Sequence, residues 1–403
     1  MWYFYSPSII YGEDALNFLE KIPGKKCYIV TDKIIEETGL LKILTDKLDD
    51  LGKEYMIFND LIPNPHKESA FKSKEKCLAY EPDLIIALGG GSVIDVAKAT
   101  WAMYELPELN SFDQFLLNQE FFKINTGKKA KMVLIPTTSG TGSEATFGII
   151  LSTYEEHNNV WRKMEIPHQG LIPTFAIVDP IFPAKMPPKL TANTGFDALS
   201  HSLENIVSQW RNEISDALTL KAVELIFKYL PIAYKDGNNM EARDKMHLAA
   251  TLAGLGFGNS LVHIGHTLGH GWGTVFNIPH GMTVGVFLPY VLQFCINNPD
   301  ETDITSDTLG TMAKQLGWAD WKDDNKKAAN VLVEKIFELE KELDFPRSLQ
   351  ETGVSRSDLE NNIDTLITLC FQSTVCTAGP RSPTMEEWKK LYTYAFEGKN
   401  IDF

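Results

Sequence analysis

The sequence lacks the features that would place a protein outside the cell or on a nucleic acid. Its five cysteines are scattered through 403 residues without a Cys-x2-Cys pair, so neither a disulfide framework nor a thiolate zinc site is predicted. A formal charge of −15 disfavours nucleic-acid or anionic-membrane surfaces, which need clustered lysine and arginine. No run of about eighteen apolar residues occurs, and the N-terminus lacks an export signal. We therefore expect a cytoplasmic protein with neither nucleic-acid nor membrane partners.

The pattern of apolar residues divides the chain in two. Between residues 25 and 136, short apolar runs such as CYIVTD, DLIIALGGG and KMVLIP alternate with helical patterns. This alternation predicts a parallel sheet with helices on its faces. Four prolines between residues 180 and 188 then exclude a continuous helix or a central strand. Because long amphipathic patterns follow them, we predict an α/β domain over residues 1–183 and an all-α domain over residues 184–403.

Two loops rich in glycine and hydroxyl groups follow strands of the predicted sheet. The first, GGGSVIDVAK at residues 89–98, opens a helix whose N-terminus and glycine backbone can approach a pyrophosphate. Its alternative is a tight turn in which Ser92 caps the helix and Asp95 completes a capping box. The second, PTTSGTGSEAT at residues 136–146, can hydrogen-bond a ribose and a nicotinamide, or it is simply solvated. Because ligands of parallel sheets bind at the carboxyl ends of strands, the two loops together favour a dinucleotide.

Asp32 ends the first clear strand. Its carboxylate could accept hydrogen bonds from an adenosine ribose and would repel a 2′-phosphate, which favours NAD over NADP. The alternative is an ordinary aspartate at a strand end.

The stretch from Leu261 to Gly281 contains four of the nine histidines. If residues 256–272 form one helix, three of the four share a face: His263, His266 and His270. The fourth, His280, follows that helix. Upstream, Asp197 and His201 stand four apart and also project from one helical face. A carboxylate with three imidazoles suits a divalent metal such as Fe(II) or Zn(II), whereas the alternative is that the histidines only pack the helices.

Taken together, these motifs resemble the iron-containing, or group III, alcohol dehydrogenase family. The resemblance runs essentially from end to end through IVTDK, PNP, GGGSxxDxAK, PTTSGTGSE, GxDAxxHxxE, the histidine stretch and CTAGPRSP. It implies an α/β dinucleotide-binding domain followed by an all-α domain that carries the metal. It also implies an oxidoreductase that interconverts a small-molecule alcohol and an aldehyde or ketone by hydride transfer to NAD, with NADP as the alternative. The metal that the resemblance implies is Fe²⁺, or alternatively Zn²⁺ or another divalent ion, and the assembly that it implies is a homodimer or a higher homo-oligomer.

Matched position by position, the resemblance also implies the site residues. The metal ligands are Asp197, His201, His266 and His280, of which the last two have the family's spacing of fourteen residues. His270 then takes part in proton transfer, and His263 is an additional histidine that either supports a ligand or packs the helix. The cofactor-binding residues are Asp32, Asn64, Gly90, Gly91, Ser92, Asp95, Thr137, Thr138, Thr141 and Lys163.

Two other functions fit the same sequence less well. A synthase or lyase that uses NAD transiently, as dehydroquinate synthase does, would bind a phosphorylated acid and would need several basic residues near the metal. The segments that flank the ligands offer few basic residues, among them Arg211 and Lys185. A non-catalytic metal-binding assembly protein would have no use for the two cofactor loops.

Overall fold

A computed structural model describes residues 3–61, 66–112, 126–156, 160–300 and 304–403. The chain separates into two units, Met1–Met186 and Pro187–Phe403. The predicted fold class is confirmed, since the first unit contains a parallel sheet with helices and the second is mostly helical.

The first unit is built on a sheet of six parallel strands. The strands are β1 (Ser8–Tyr11), β2 (Lys26–Val30), β3 (Glu54–Phe58), β4 (Leu84–Gly89), β5 (Lys131–Pro136) and β8 (Phe175–Val178). Their order across the sheet is β1-β8-β5-β4-β2-β3. The α-helices in the described part of this unit are α1 (Lys33–Glu37), α2 (Leu40–Asp50), α3 (Lys67–Tyr80) and α4 (Gly91–Glu105). Every residue of β4 is buried. Ile85 and Ala87 join the apolar core on one face, whereas Leu84, Ile86 and Leu88 join the core on the other. A strand covered on both faces explains why the sequence reads as a continuous apolar run.

An antiparallel hairpin, absent from the predicted elements, completes the first unit. It consists of β6 (Gly148–Glu155) and β7 (Val160–Pro167). Its strands pair Ser152 with Lys163. The hairpin therefore holds Lys163, one of the expected cofactor residues, on a strand.

The described part of the second unit contains helices and no strand. The helices are α5 (Pro188–Asn205), α6 (Glu213–Lys235), α7 (Met240–Ser260), α8 (Ile264–Phe276), α9 (His280–Ile296), α10 (Thr305–Gln315), α11 (Asn325–Glu342), α12 (Arg356–Gln372) and α13 (Met385–Glu397). Helix α9 is buried continuously from Met282 to Ile296, as an element enclosed by other helices must be. The last helix begins with the capping box expected from the sequence, in which Thr384 and Glu387 exchange hydrogen bonds.

The prediction of one continuous helix over residues 256–272 is wrong. Helix α7 ends at Ser260, and Leu261 adopts a left-handed φ of 67°, which a leucine rarely takes. Helix α8 then starts at Ile264 after a bend of 109°, so His263 lies at the break. Within the described ranges, no single helix is long and apolar enough to cross a bilayer. Helices α7 and α8 have the required length and hydropathy only if the bent pair is counted together.

Candidate metal centre and cofactor loops

Four side chains from three helices of the second unit converge on one point. Asp197 and His201 come from α5, His266 from α8 and His280 from α9, and one ligand atom of each lies within 4.8 Å of the others. Helix α9 can bring His280 this close because the next residue is Gly281. A Cβ atom at Gly281 would lie 2.2 Å from the carbonyl oxygen of Asn193 on α5.

The distances within this quartet suit a metal ion. The Oδ1 atom of Asp197 is 3.4 Å from the Nε2 atom of His280, 3.8 Å from that of His201 and 4.0 Å from that of His266. With metal–ligand bonds of about 2.1 Å, neighbouring atoms of a tetrahedral shell lie roughly 3.4 Å apart. Asp197 Oδ1 is buried and accepts no hydrogen bond from the described residues. The donor set and its spacing therefore fit a divalent cation.

The electrostatics of Asp197 support this interpretation. The pKa of its carboxyl group is raised to about 7, chiefly by burial, while the nearby His266 opposes the shift and Glu204 adds to it. A buried carboxylate without a cation is costly, and protonation relieves that cost. A divalent ion would stabilise the charged form instead. The four expected ligands are thus brought together in an environment that favours a cation.

Glu204, three residues after His201 on α5, is a residue that the site predictions missed. It is fully buried, and its Oε1 atom lies 2.6 Å from the Nδ1 atom of His266. Burial would raise the pKa of Glu204, but the imidazoles of His266 and His263 and several hydrogen bonds lower it to about 2. The signal was present in the sequence, since Asp197, His201 and Glu204 follow the spacing i, i+4, i+7 of one helical face.

His263 lies beside Glu204 and does not belong to the quartet. Its Nδ1 atom is 3.4 Å from Glu204 Oε2, and the residue is completely buried. Burial lowers the pKa of this imidazole, while Glu204 opposes the shift. His270 lies close to the quartet, with its ring centroid 5.0 Å from that of His280 and 6.0 Å from that of His266.

In the first unit, the two predicted loops lie side by side, because β4 and β5 are neighbours with Gly89 opposite Pro136. A Cβ atom at Gly91 would lie 2.9 Å from Thr141, and one at Gly90 would lie 3.4 Å from Thr138. Thr137 donates its backbone N–H to the carbonyl oxygen of Gly89. The contact at Gly91 leaves little room for a side chain there, and both contacts bring the threonines of the second loop against the start of α4.

The alternative in which Ser92 and Asp95 form a capping box is wrong. Helix α4 has Gly90 at its N-cap and no side-chain cap, so the N–H groups of its first turn are not capped by Ser92. Asp95 instead accepts a hydrogen bond from the hydroxyl of Ser143, 3.0 Å away. The two loops are therefore joined through Asp95.

A buried lysine, also absent from the site predictions, fixes the end of the second loop. The ammonium group of Lys98 donates to the carbonyl oxygens of Ser143, Thr146 and Gly148. Burial lowers the pKa of Lys98 and raises that of Asp95, and the attraction between the two charges opposes both shifts. Burial also lowers the pKa of Lys163, again with Asp95 opposing it.

Asp32 is the N-cap of α1, and its Oδ1 atom accepts the backbone N–H of Ile35 at 2.9 Å. Asp32 therefore has the structural role of an aspartate at a strand end, and the residue is half-buried. Asn64, the remaining expected cofactor residue, lies outside the described residues.

Arg211 and Lys185, the two basic residues considered in the sequence analysis, both have partners within their own units. Arg211 forms an ion pair with Asp216 and donates to Thr308, and Lys185 donates to the carbonyl oxygen of Thr38. Arg211, the one of the two in the same unit as the quartet, is therefore already neutralised by Asp216 and does not offer the free cation that a phosphorylated acid would require.

The first unit combines a parallel sheet with two neighbouring loops suited to a phosphate, and the second unit contains the Asp-His₃ quartet. This combination is typical of an enzyme that uses a metal ion and a dinucleotide cofactor. Comparison with known proteins identifies the family. The model of "Iron-containing alcohol dehydrogenase" matches residues 6–180, and that of the "Fe-containing alcohol dehydrogenase family, C-terminal" matches residues 191–396. This chain belongs to the iron-containing alcohol dehydrogenase family, whose members are NAD(P)-linked oxidoreductases that act on small molecules.

Individual relatives agree along the whole chain. The NADPH-dependent butanol dehydrogenase of Clostridium saccharobutylicum is 33% identical over 396 residues, which cover 98% of each chain. The solved structure of the iron-containing alcohol dehydrogenase of Thermococcus thioreducens has a TM-score of 0.84 at 28% identity and covers 99% of this chain and 100% of that one. The sulfoacetaldehyde reductase of Bifidobacterium kashiwanohense, solved with NAD⁺, has a TM-score of 0.81 at 27% identity and covers 98% and 99%.

Proposed function

We propose that this protein interconverts a small uncharged alcohol and its aldehyde with Fe²⁺ held by Asp197, His201, His266 and His280, and with NAD as the preferred cofactor. The observation that carries the proposal is the convergence of these four side chains around the buried Asp197 Oδ1 atom. Short straight-chain alcohols are the first substrates to test, because a relative that matches this chain over 98% of its length is a butanol dehydrogenase.

The two parts of the chain divide the binding work in this proposal. Residues 1–183 bind the dinucleotide, with the pyrophosphate at the start of α4 near Gly91 and Ser92, where backbone N–H groups and the helix dipole favour an anion. Thr138 and Thr141 hydrogen-bond the cofactor from the neighbouring loop. Lys163 contacts the nicotinamide ribose, and Asp95 orients this region through Ser143. Residues 184–403 bind the metal.

Bound at the quartet, Fe²⁺ or Zn²⁺ supplies Lewis acidity toward the alcohol oxygen, while the nicotinamide supplies the hydride chemistry. The residues of this chain hold these groups in place and move the proton. His270 is suited to proton transfer because its ring lies 5.0 Å from that of His280 and because imidazole exchanges protons near neutral pH. It serves as an acceptor for the alcohol proton during oxidation and as a donor during aldehyde reduction.

A cytoplasmic location and a homo-oligomeric assembly are further parts of the proposal. No disulfide links the five cysteines, all of which lie in the described part of the chain, and thiols of this kind persist in a reducing compartment. The assembly rests on the family resemblance alone. Light scattering coupled to gel filtration measures it directly, and a monomeric mass contradicts it.

The test is a reconstitution experiment. The purified protein is stripped with a chelator under anaerobic conditions and then supplied with Fe²⁺, Zn²⁺ or buffer, and reduced nicotinamide is followed by its absorbance with butanol or butanal. We expect activity only in the metal-loaded samples. Equal turnover in the stripped and loaded samples, or no turnover with any alcohol, aldehyde and cofactor pair, contradicts the proposal.

A further inference from the structure

The start of α8 is held by a side chain from another helix. Residue His263 occupies the N-cap of α8 but makes no side-chain capping bond. The Oε2 atom of Glu204 accepts the backbone N–H groups of His263, Gly265 and His266 at 2.8, 3.1 and 3.3 Å. These donors have no partner within the helix itself. Glu204 therefore caps α8 from α5, directly after the left-handed Leu261.

The other carboxylate oxygen of Glu204 has a different partner. Oε1 lies 2.6 Å from the Nδ1 atom of His266, and both residues are buried. Because Oε2 already accepts three backbone N–H groups, the carboxylate acts as an acceptor here, and the Nδ1 atom of His266 donates its proton to Oε1. The Nε2 atom of His266 then has a free electron pair on the side of the ring that faces Asp197, the arrangement that a metal ligand needs.

The chain also provides room for this contact. A Cβ atom at Gly265 would lie 2.5 Å from Glu204 Oε1 and 3.2 Å from Oε2. Glycine at this position therefore lets the carboxylate reach both the backbone and the imidazole. An alanine would push the carboxylate away from His266 without removing its charge.

We propose that Glu204 is a positioning residue that makes His266, and not His263, the metal ligand. It fixes the break between α7 and α8, and it orients the imidazole of His266 with Nε2 toward Asp197. His263 lies against the same carboxylate, with Nδ1 3.4 Å from Oε2, and stays outside the quartet. The inference rests on the metal site of the proposed function and adds to it a residue that determines ligand choice.

The variant Glu204→Gln separates capping from orientation. The glutamine oxygen can still accept the backbone N–H groups of α8. Its amide nitrogen then faces His266 and donates to Nδ1, which places the ring proton on Nε2, the ligand atom. A residue that only caps the helix would tolerate this change, whereas a residue that orients the ligand would not.

The matched control is Glu340→Gln. Glu340 is also a completely buried glutamate of the second unit, and its nearest charged partner is Arg347 at 3.9 Å. Burial raises its pKa well above the usual value, so an amide resembles its protonated form. Any general effect of replacing a buried carboxyl group should appear in this variant as well.

The experiment measures the dissociation constant of Zn²⁺ by competition with a chromophoric chelator, together with the visible spectrum of the Co²⁺-loaded protein. We expect Glu204→Gln to bind Zn²⁺ about 10- to 100-fold more weakly and to show an altered cobalt spectrum. Glu340→Gln and His263→Ala should match the wild type in both readouts. Thermal unfolding of the metal-free proteins shows whether each variant is folded.

If Glu204→Gln does not fold, Gly265→Ala takes its place. The same weakening is expected, because the alanine Cβ atom would push the Glu204 carboxylate away from His266 while its charge remains. Wild-type affinity and an unchanged cobalt spectrum in the folded variant overturn the inference, as does loss of Zn²⁺ from His263→Ala. A wild type that binds no divalent ion overturns the metal site of the proposed function itself, and the inference with it.

Discussion

Cofactor preference can be tested through Asp32, because the structure shows how to remove its charge and keep its cap. Asp32 caps α1 by accepting the backbone N–H of Ile35. Asparagine caps a helix about as well as aspartate. The substitution Asp32→Asn therefore removes the negative charge alone, whereas Asp32→Gly removes both the charge and the hydrogen bond at a cost of a few tenths of a kcal/mol.

The size of the effect follows from Coulomb's law. A 2′-phosphate carries a charge of about −1.5, and at a separation of roughly 5 Å its repulsion by one carboxylate is about 1 kcal/mol in water and about 5 kcal/mol at an effective dielectric constant of 20. Asp32 is half-buried, which places it between these limits. The ratio of kcat/KM for NADP to that for NAD should therefore rise at least about tenfold in Asp32→Asn.

The assay is steady-state kinetics with both cofactors on the wild type and the two variants. We expect the wild type to favour NAD and both variants to shift toward NADP by similar factors, because the charge and not the cap discriminates. A wild type that prefers NADP, as the name of the Clostridium relative states for that protein, or a ratio that stays the same in Asp32→Asn, refutes the reasoning.

Three further substitutions test other parts of the site. His270→Ala should keep its metal but lose about 10²- to 10⁴-fold in turnover and change its pH profile, so an unchanged profile rejects proton transfer by His270. Ser92→Asp should weaken binding of the dinucleotide roughly tenfold or more by charge repulsion, and unaltered affinity in a folded protein would place the pyrophosphate elsewhere. Gly281→Ala should destabilise the protein by about 1–3 kcal/mol and lower its metal content, because its Cβ atom would meet the carbonyl oxygen of Asn193 at 2.2 Å. This loss is expected although alanine is the better helix former. Equal thermal stability and metal content would refute the close approach of α9 to α5.

The strands of the sheet were predictable because the apolar residues that identify each strand lie next to one another in the sequence. Strands such as β4 are covered on both faces, so burial alone produces the apolar run, and the following Gly90 marks the turn into α4. The hairpin of β6 and β7 was missed, although GIILSTYE and VWRKMEIP are rich in β-branched and aromatic residues on either side of a polar segment. Its strands alternate weakly between buried and exposed positions, and this weakens the period that identifies a strand.

The break between α7 and α8 shows where sequence patterns fail. The apolar spacing continues through Leu261, so periodicity indicates one helix and places three histidines on a single face. The break is stabilised by Glu204, which is 59 residues away in sequence from the N–H group of His263. Because the interaction that ends one helix and starts the next is tertiary, no local pattern could identify His263 as the histidine that lies outside the quartet.

The most direct test of the account is to locate the metal ion. Crystals grown with Fe²⁺ and measured at the iron absorption edge give an anomalous difference map in which the ion is identified by element and position. We expect one peak within bonding distance of Asp197, His201, His266 and His280. A peak beside His263, or full iron occupancy away from these four side chains, would contradict the proposed metal site.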